Sequence, residues 1–485
     1  MHAKESLIDR DRRRADRPLE ETVEVDESSI AKHDASIMRD DITASRTLFP
    51  HLDHDRLRLQ GNGQAVATGV STPDCVRPEG NREACKAYHR VISPNGTQTG
   101  SRGQHDAASR ATRRWWGAPP SAYNTAVRTL WRAALDSVTP YEAGKPLEAL
   151  AAELGIAELV RRSANEHPLG PSPCVVEALR REASHVHLYP DGGSTALREA
   201  LGRQLGLAPA QIVIGNGADE LITLIALAAF EPGDEVVMPH PSFEPYATGA
   251  NIAGARMVQS PLAGYHTDLE DMRRRVTPRT KAVFLCSPHN PAATIIAQRA
   301  LLGFLQALGD DPPLIVLDEA YHDFVDDPEY PDGVALLARH PRLLVLRTFS
   351  KIAGLAGLRV GYALGSLETM DRLNRVRAPY NVNRLGQVAA LAALDDPEHA
   401  TRTRALVLEE RRFVMAGLAE RGIACSPSQA NFLLVRVREP RRVREHLARG
   451  GILVRDGAAV GFPGHLRISL GTREVNERVL KLLEE

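Results

Sequence analysis

The stretch RTFSKIAGLAGLR at residues 347–359 sets a threonine, a serine, a lysine and an arginine at fixed offsets behind an aliphatic run. That run, LLVLRT at 343–348, is short and apolar enough to read as a buried parallel strand, so Ser350 and Lys351 fall where the chain leaves the sheet. Partial desolvation there lowers the pKa of the Lys351 amine and frees it as a nucleophile toward a carbonyl. Thr348, Ser350 and Arg359 add hydroxyls and one permanent positive charge around the same point, which suits a phosphate dianion. Taken alone, the same residues also describe a loop lysine beside a satisfied arginine.

Four other segments place polar residues in comparable positions. GNGADE (215–220), PHPSFE (239–244), SPHNP (287–291) and DEAY (318–321) each follow a strand-like run, namely QIVIG, EVVM, KAVFLC and LIVL. Helical patterns intervene at ADELITLIALAAF, near Phe243 to Ala253 and near Leu269 to Val276. Alternating strands and helices predict an α/β domain with a mainly parallel sheet, and such sheets bind ligands at the carboxyl ends of their strands. Agreement among five strand ends carries more weight than any one motif.

Before and after this core the text differs. LEALAAELGI (147–156) predicts a helix stopped at Gly155, and PCVVEALRREASHV (173–186) another with proline in its first turn. Beyond residue 380 come a helix from Asn383 to Leu394, a charged helix from Arg402 to Arg421, the strand ANFLLVRV, a helix from Arg441 to Arg449, and short strands at ILVRD and LRISLG. Together these read as a smaller α+β lobe. Residues 1–131 mix charge clusters such as RDRRRADR with polar stretches and lack sustained amphipathic periodicity, so they are expected to be disordered or weakly structured, with a local helix over 120–135.

Composition narrows the partners. The 60 basic and 61 acidic residues leave a formal net charge of -1, so no bulk field draws the chain to nucleic acid or anionic lipid. Five cysteines, Cys75, Cys85, Cys174, Cys286 and Cys425, show neither CxxC spacing nor an even count, which suits a reducing cytoplasm and offers no metal site. No apolar run reaches the roughly 18 residues of a membrane span.

In this order and spacing GNGADE, SPHNP, LDEAYHDF, RTFSK with its arginine, and LRISLGT resemble the fold type I aminotransferases that use pyridoxal 5'-phosphate (PLP), and among them the histidinol-phosphate aminotransferases. The resemblance spans roughly residues 138–485. It implies a large domain, 166–379, with a mainly parallel seven-stranded sheet, a small α+β domain from 132–165 and 380–485, and a homodimer with shared active sites. By resemblance Lys351 would carry PLP as a Schiff base and move protons, Asp318 would face the pyridine nitrogen, and Tyr321 and Asn290 would hold the phenolic oxygen. Ala218 and Asp219 would start the phosphate cup that Thr348, Ser350 and Arg359 complete, Phe243 would stack on the ring, and Tyr189 would reach the phosphate of the other subunit. Arg467, Arg455 and Asn165 would meet the amine and 2-oxo acid substrates.

Two departures stand out. The family's usual NPTG is Asn290-Pro291-Ala292-Ala293 here, and NENPLG is Asn165-Glu166-His167-Pro168-Leu169-Gly170. Both bear on the substrate more than on the chemical step. Histidinol phosphate with 2-oxoglutarate is the expected pair. An aromatic amino acid aminotransferase, a phosphothreonine decarboxylase and a PLP-sensing transcription regulator behind the RDRRR and RATRRWW segments remain alternatives.

Overall fold

The computed structural model describes residues 57–59, 65–67, 130–140 and 145–484, in two units, Met1–Tyr123 and Asn124–Glu485. In the first unit Leu57–Leu59 and Ala65–Ala67 pair antiparallel, and the rest of the extension lies outside the described residues. Of the helix expected over 120–135, only the end can be compared, where Ala133–Ser137 forms a short 3-10 helix.

The second unit is built on seven strands: β1 (Ile212–Gly215), β2 (Glu235–His240), β3 (Arg256–Pro261), β4 (Thr280–Cys286), β5 (Leu314–Asp318), β6 (Leu343–Thr348) and β7 (Gly361–Leu364). Their order is β1-β7-β6-β5-β4-β2-β3, with β7 antiparallel to both neighbours and every other pairing parallel. The mainly parallel seven-stranded sheet expected from the resemblance is therefore present. Strand β7 was not legible in the sequence, because four residues opening on a glycine carry too little periodicity to separate from a loop.

Successive strand residues feed opposite faces, which is why the strands are apolar throughout. Val237, Leu285, Leu317 and Val345 enter one buried cluster, while Val236, Phe284, Val316 and Leu346 enter the other. Burying each such side chain contributes roughly 1.5–3 kcal/mol. Rigid backing on both faces fixes the strand ends, where the polar motifs sit.

Helix α1 (Leu147–Leu154) ends at Gly155 in the left-handed conformation, as its sequence predicts. Helix α2 (Pro173–Glu182) starts with Ser172 accepting from the Val175 N–H and proline in the first turn. Helices α3 (Gly217–Ala229) and α4 (Glu244–Ala253) follow β1 and β2, and α5 (Arg384–Leu394) packs against α2. Helix α6 runs Pro397–Glu420, five residues earlier than the predicted Arg402 start, because Asp396 caps the His399 N–H and Pro397 occupies the first turn. No helix among the described residues is long and apolar enough to cross a membrane.

A second sheet holds β8 (Phe432–Arg436), β9 (Arg455–Asp456) and β10 (His465–Ser469) in the order β8-β10-β9, with α7 (Pro440–Arg449) between β8 and β9 and α8 (Arg473–Leu482) after β10. ILVRD, expected as one strand, divides: Ile452–Leu453 pairs parallel with Val160–Arg161, and Arg455–Asp456 turns to pair with β10. That division matters for the site. It draws the chain around residue 160 alongside β10, where the Ser469 N–H donates to the Arg162 carbonyl at 2.9 Å and the Asn165 N–H to Ser469 Oγ at 2.8 Å.

Candidate active site

A cavity of about 270 Å3 opens at the carboxyl ends of the central strands. Lys351, just past β6, lies in its wall with Ser350 and Thr348; Asp318 closes β5, and Asn290 follows β4. Ala218 and Asp219 come from the start of α3, Phe243 from the residue before α4, Arg467 from β10, and Asn165 from the segment tied to it. Tyr321 and Arg359 complete the group, so twelve side chains or backbone positions from seven distant stretches of sequence meet here.

Lys351 Nζ reaches the carbonyls of Ala164 and Asn165 at 3.4 and 3.3 Å. Burial, followed by the positive charges of Arg467 and Arg359, lowers its pKa to about 8. About a tenth of the amine is then neutral at pH 7, against well under a thousandth at the ordinary value, and the neutral form is what nucleophilic attack requires. Asp318 accepts from the Tyr246 hydroxyl at 2.6 Å and from the Ala320 N–H at 3.0 Å. Both donors are neutral, and burial lifts the carboxyl to about 6 against their pull. A cationic ring nitrogen at this carboxylate would supply the charge partner that burial demands.

Tyr321 accepts from Asn165 Nδ2 at 3.0 Å, and burial pushes its hydroxyl to about 12, so it stays protonated. Asn290 Oδ1 accepts from Arg467 Nη1 at 2.7 Å, and Arg467 Nη2 donates to the Ser163 carbonyl at 2.7 Å. Arg467 Nε is buried without a hydrogen-bond partner. Such a guanidinium is poised to rearrange onto an anion.

On the opposite side Gly217 opens α3 at φ 81°, and a Cβ there would lie 2.3 Å from Arg359 Nη2. Only glycine permits that approach of the guanidinium to the helix start. Arg359 Nη2 pairs with Asp219 at 3.1 Å, its Nη1 donates to Ser350 Oγ at 3.4 Å, and Thr348 Oγ1 donates to Ser350 Oγ at 2.9 Å. Helix-start N–H groups, two hydroxyls and one arginine are the donors that could hold a phosphate. The cavity thus fits PLP: cationic cup, carboxylate for the ring nitrogen, aromatic wall and amine.

Two of the expected site residues lie outside the cavity wall. Tyr189 is 79% exposed and stacks on Tyr380 with ring centroids 4.7 Å apart, away from its own cavity. Arg455 stands opposite Arg467 in the β9–β10 register but is exposed and not part of the cavity wall; its like charge, after burial, pushes the Arg467 pKa down. Of the two departures, Ala293 keeps a left-handed φ of 63°, and the His289 N–H to Thr294 carbonyl bond at 2.7 Å still closes the turn. His167 turns away from the cavity and stacks on His399.

Sequence reasoning missed Tyr246. Its signal was present: it sits one helical turn after Phe243, so both rings project toward the same neighbourhood, and they meet edge to face at 5.6 Å. Cys286, the last residue of β4, also lines the cavity and was read only as a scattered thiol.

The model of the family "Aminotransferase class I and II" matches residues 158–483. A histidinol-phosphate aminotransferase of Moorella thermoacetica is 42% identical over 358 residues, covering 73% of this chain and 92% of that protein. One from an Anaeromyxobacter species is 44% identical over 350 residues, covering 72% and 96%. Among solved structures, histidinol-phosphate aminotransferase from Sinorhizobium meliloti in complex with pyridoxal-5'-phosphate matches with a TM-score of 0.67 and 29% identity, over 74% of this chain and 98% of that one. The strand-end cavity with its buried amine and carboxylate, and these matches, agree that the chain belongs to the class I and II aminotransferase family.

Proposed function

We propose that this aminotransferase moves an amino group between histidinol phosphate and 2-oxoglutarate. The observation that carries the reading is the similarity to histidinol-phosphate aminotransferases over 92% and 96% of their lengths. The cofactor is pyridoxal 5'-phosphate, which supplies an electrophilic carbonyl and an electron sink. Lys351 would hold it, and the same side chain, once free, would be the acid and base that moves protons at the reacting carbons. Its pKa of about 8 suits both directions. Asp318 would face the ring nitrogen and keep it protonated, with Tyr246 holding the carboxylate in place. Tyr321 and Asn290 would hold the phenolic oxygen, Phe243 would lie against the ring, and Ala218, Asp219, Thr348, Ser350 and Arg359 would hold the phosphate. Arg467 leaves Asn290 and Ser163 to clamp the carboxylate of glutamate or 2-oxoglutarate, and Asn165 walls the donor from water.

We further infer a cytoplasmic homodimer, in which the exposed Tyr189 reaches the phosphate of its partner's site, and Arg455 meets the outer end of the substrate. The lobes are assigned as 166–379 and as 132–165 with 380–485. The test is donor half-reactions: PLP-loaded protein is mixed with histidinol phosphate, glutamate, phenylalanine or tyrosine, and the change in cofactor absorbance is followed. Histidinol phosphate and glutamate are expected to react fastest. Faster reaction with phenylalanine or tyrosine would move the assignment to an aromatic amino acid aminotransferase, the reading that the relatives' names do not favour.

A further inference from the structure

The segment 163–170 forms one wall of the cavity, with Ala164, Asn165 and Glu166 facing in. It is not a regular element, and Asn165 holds a left-handed φ of 56°. Something must keep it pressed against Lys351. From β10 it is held by the Asn165 N–H on Ser469 Oγ at 2.8 Å and by Ser469 Oγ donating to Asn165 Oδ1 at 3.0 Å. Toward the lysine loop the link is His167, whose Nε2 lies 3.1 Å from the carbonyl of Ile352, the residue after Lys351.

The imidazole's partners define its protonation. The Leu169 N–H donates to Nδ1 at 3.1 Å, so Nδ1 carries no proton, and Nε2 must donate to the Ile352 carbonyl. The neutral tautomer therefore uses both nitrogens. The ring is backed by His399, parallel within 12° at 5.3 Å between centroids, and His399 Nε2 in turn donates to the Gly170 carbonyl at 3.0 Å. The same loop touches the segment again at Gly354, where a Cβ would lie 2.9 Å from the Gly170 carbonyl. Burial accounts for most of the fall of the His167 pKa to about 4, so the neutral form persists across physiological pH.

We propose that His167 is a positioning residue: it ties the donor-side wall to the backbone beside Lys351, and so holds the Ala164 and Asn165 carbonyls at the lysine amine before any substrate arrives. It is not part of the cavity wall, and acts through Asn165 and Ile352. This rests on the reading of the cavity as the donor site. The residue is also where this chain departs from NENPLG. An asparagine there can accept the Leu169 N–H two residues on, but its side chain is too short for the Ile352 carbonyl. His167→Asn thus separates the local turn from the tether.

The test combines amide hydrogen exchange on the cofactor-free protein with steady-state kinetics on the PLP-loaded one. For His167→Asn, Leu169 is expected to keep its slow exchange, while the Asn165 amide exchanges about tenfold faster because the segment opens locally. The donor KM is expected to rise about fivefold or more with kcat within about twofold, the signature of lost binding without lost chemistry. His167→Gln, whose longer amide can donate toward Ile352, should restore part of both changes. Should His167→Asn not fold, His167→Ser, which can still accept the Leu169 N–H but is too short for the Ile352 carbonyl, reads the same two quantities. Unchanged Asn165 exchange in the folded variant overturns the tether whatever the substrate proves to be. Faster exchange with unchanged KM for every donor overturns the link to the donor site.

Discussion

Tyr246 donates its hydroxyl hydrogen to Asp318 Oδ2 at 2.6 Å, inside a core where both residues are buried and Phe284 stacks on the tyrosine ring at 4.6 Å. One strand end and one helix start, 72 residues apart, thereby fix the carboxylate that faces the cavity. Tyr246→Phe removes a donor to the charged form, so the Asp318 carboxyl, already raised to about 6, titrates at a still higher pH. The acidic limb of the kcat profile is expected to move upward by at least about half a pH unit, with kcat at pH 7 falling roughly tenfold. An unmoved acidic limb would show that Tyr246 only packs.

Lys351 is expected to trade stability for chemistry. Its folded-state pKa of about 8 lies below the ordinary 10.5. The unfolded chain thus binds more protons between those values, and stability rises as pH climbs through that window. Below about pH 8 the cost of the buried ammonium is fully present. Lys351→Met is expected to raise the unfolding free energy at pH 7 by about 1–3 kcal/mol, less at pH 9.5, while lowering turnover by roughly 10²–10⁴-fold. Denaturant melts at the two pH values check the first part, and single-turnover kinetics the second.

Arg359 reaches the start of α3 only because Gly217 has no side chain, and the proposed phosphate cup depends on that approach. Gly217→Ala places a methyl 2.3 Å from Arg359 Nη2 and forces alanine into φ 81°. PLP affinity is expected to fall by about tenfold or more, measured by titrating cofactor into the free protein. Gly155→Ala is the control: it also sits left-handed, at φ 66°, but nothing lies within 4 Å of its Cβ, so it should cost stability alone. Equal loss of affinity in both variants would deny the cup a specific role.

Arg467 holds two planar contacts at 2.7 Å and one unpaired Nε, the geometry of a fork rather than of a point charge. Arg467→Lys keeps the charge and loses the fork. The kcat/KM for 2-oxoglutarate is expected to fall about 10²-fold, since each charge-assisted bond contributes about 1.5–3 kcal/mol. A loss below about threefold would place the carboxylate elsewhere.

The chemistry was legible because it sits at strand ends. Lys351, Asp318, Asn290 and the GNGADE turn each follow a buried apolar run, and continuously apolar strands with helices between them admit few arrangements other than a parallel sheet. The stop at Gly155 and the proline opening α2 were legible for the same reason, that helix ends are specified locally. The start of α6 was misplaced by five residues because the charged stretch hid the cap at Asp396.

What the sequence determined by itself was therefore the alternation of strands and helices that predicts a mainly parallel sheet, and the polar motifs at its strand ends; their order and spacing carried the resemblance to the family. Only the tertiary structure decided which distant residues serve them. Tyr246 reaches Asp318, the split of ILVRD carries Asn165 to Tyr321, Tyr189 turns from its own cavity, and His167 bonds the carbonyl after the lysine. Such pairings arise from packing between segments tens to hundreds of residues apart. No local propensity encodes the direction in which a side chain will meet another element.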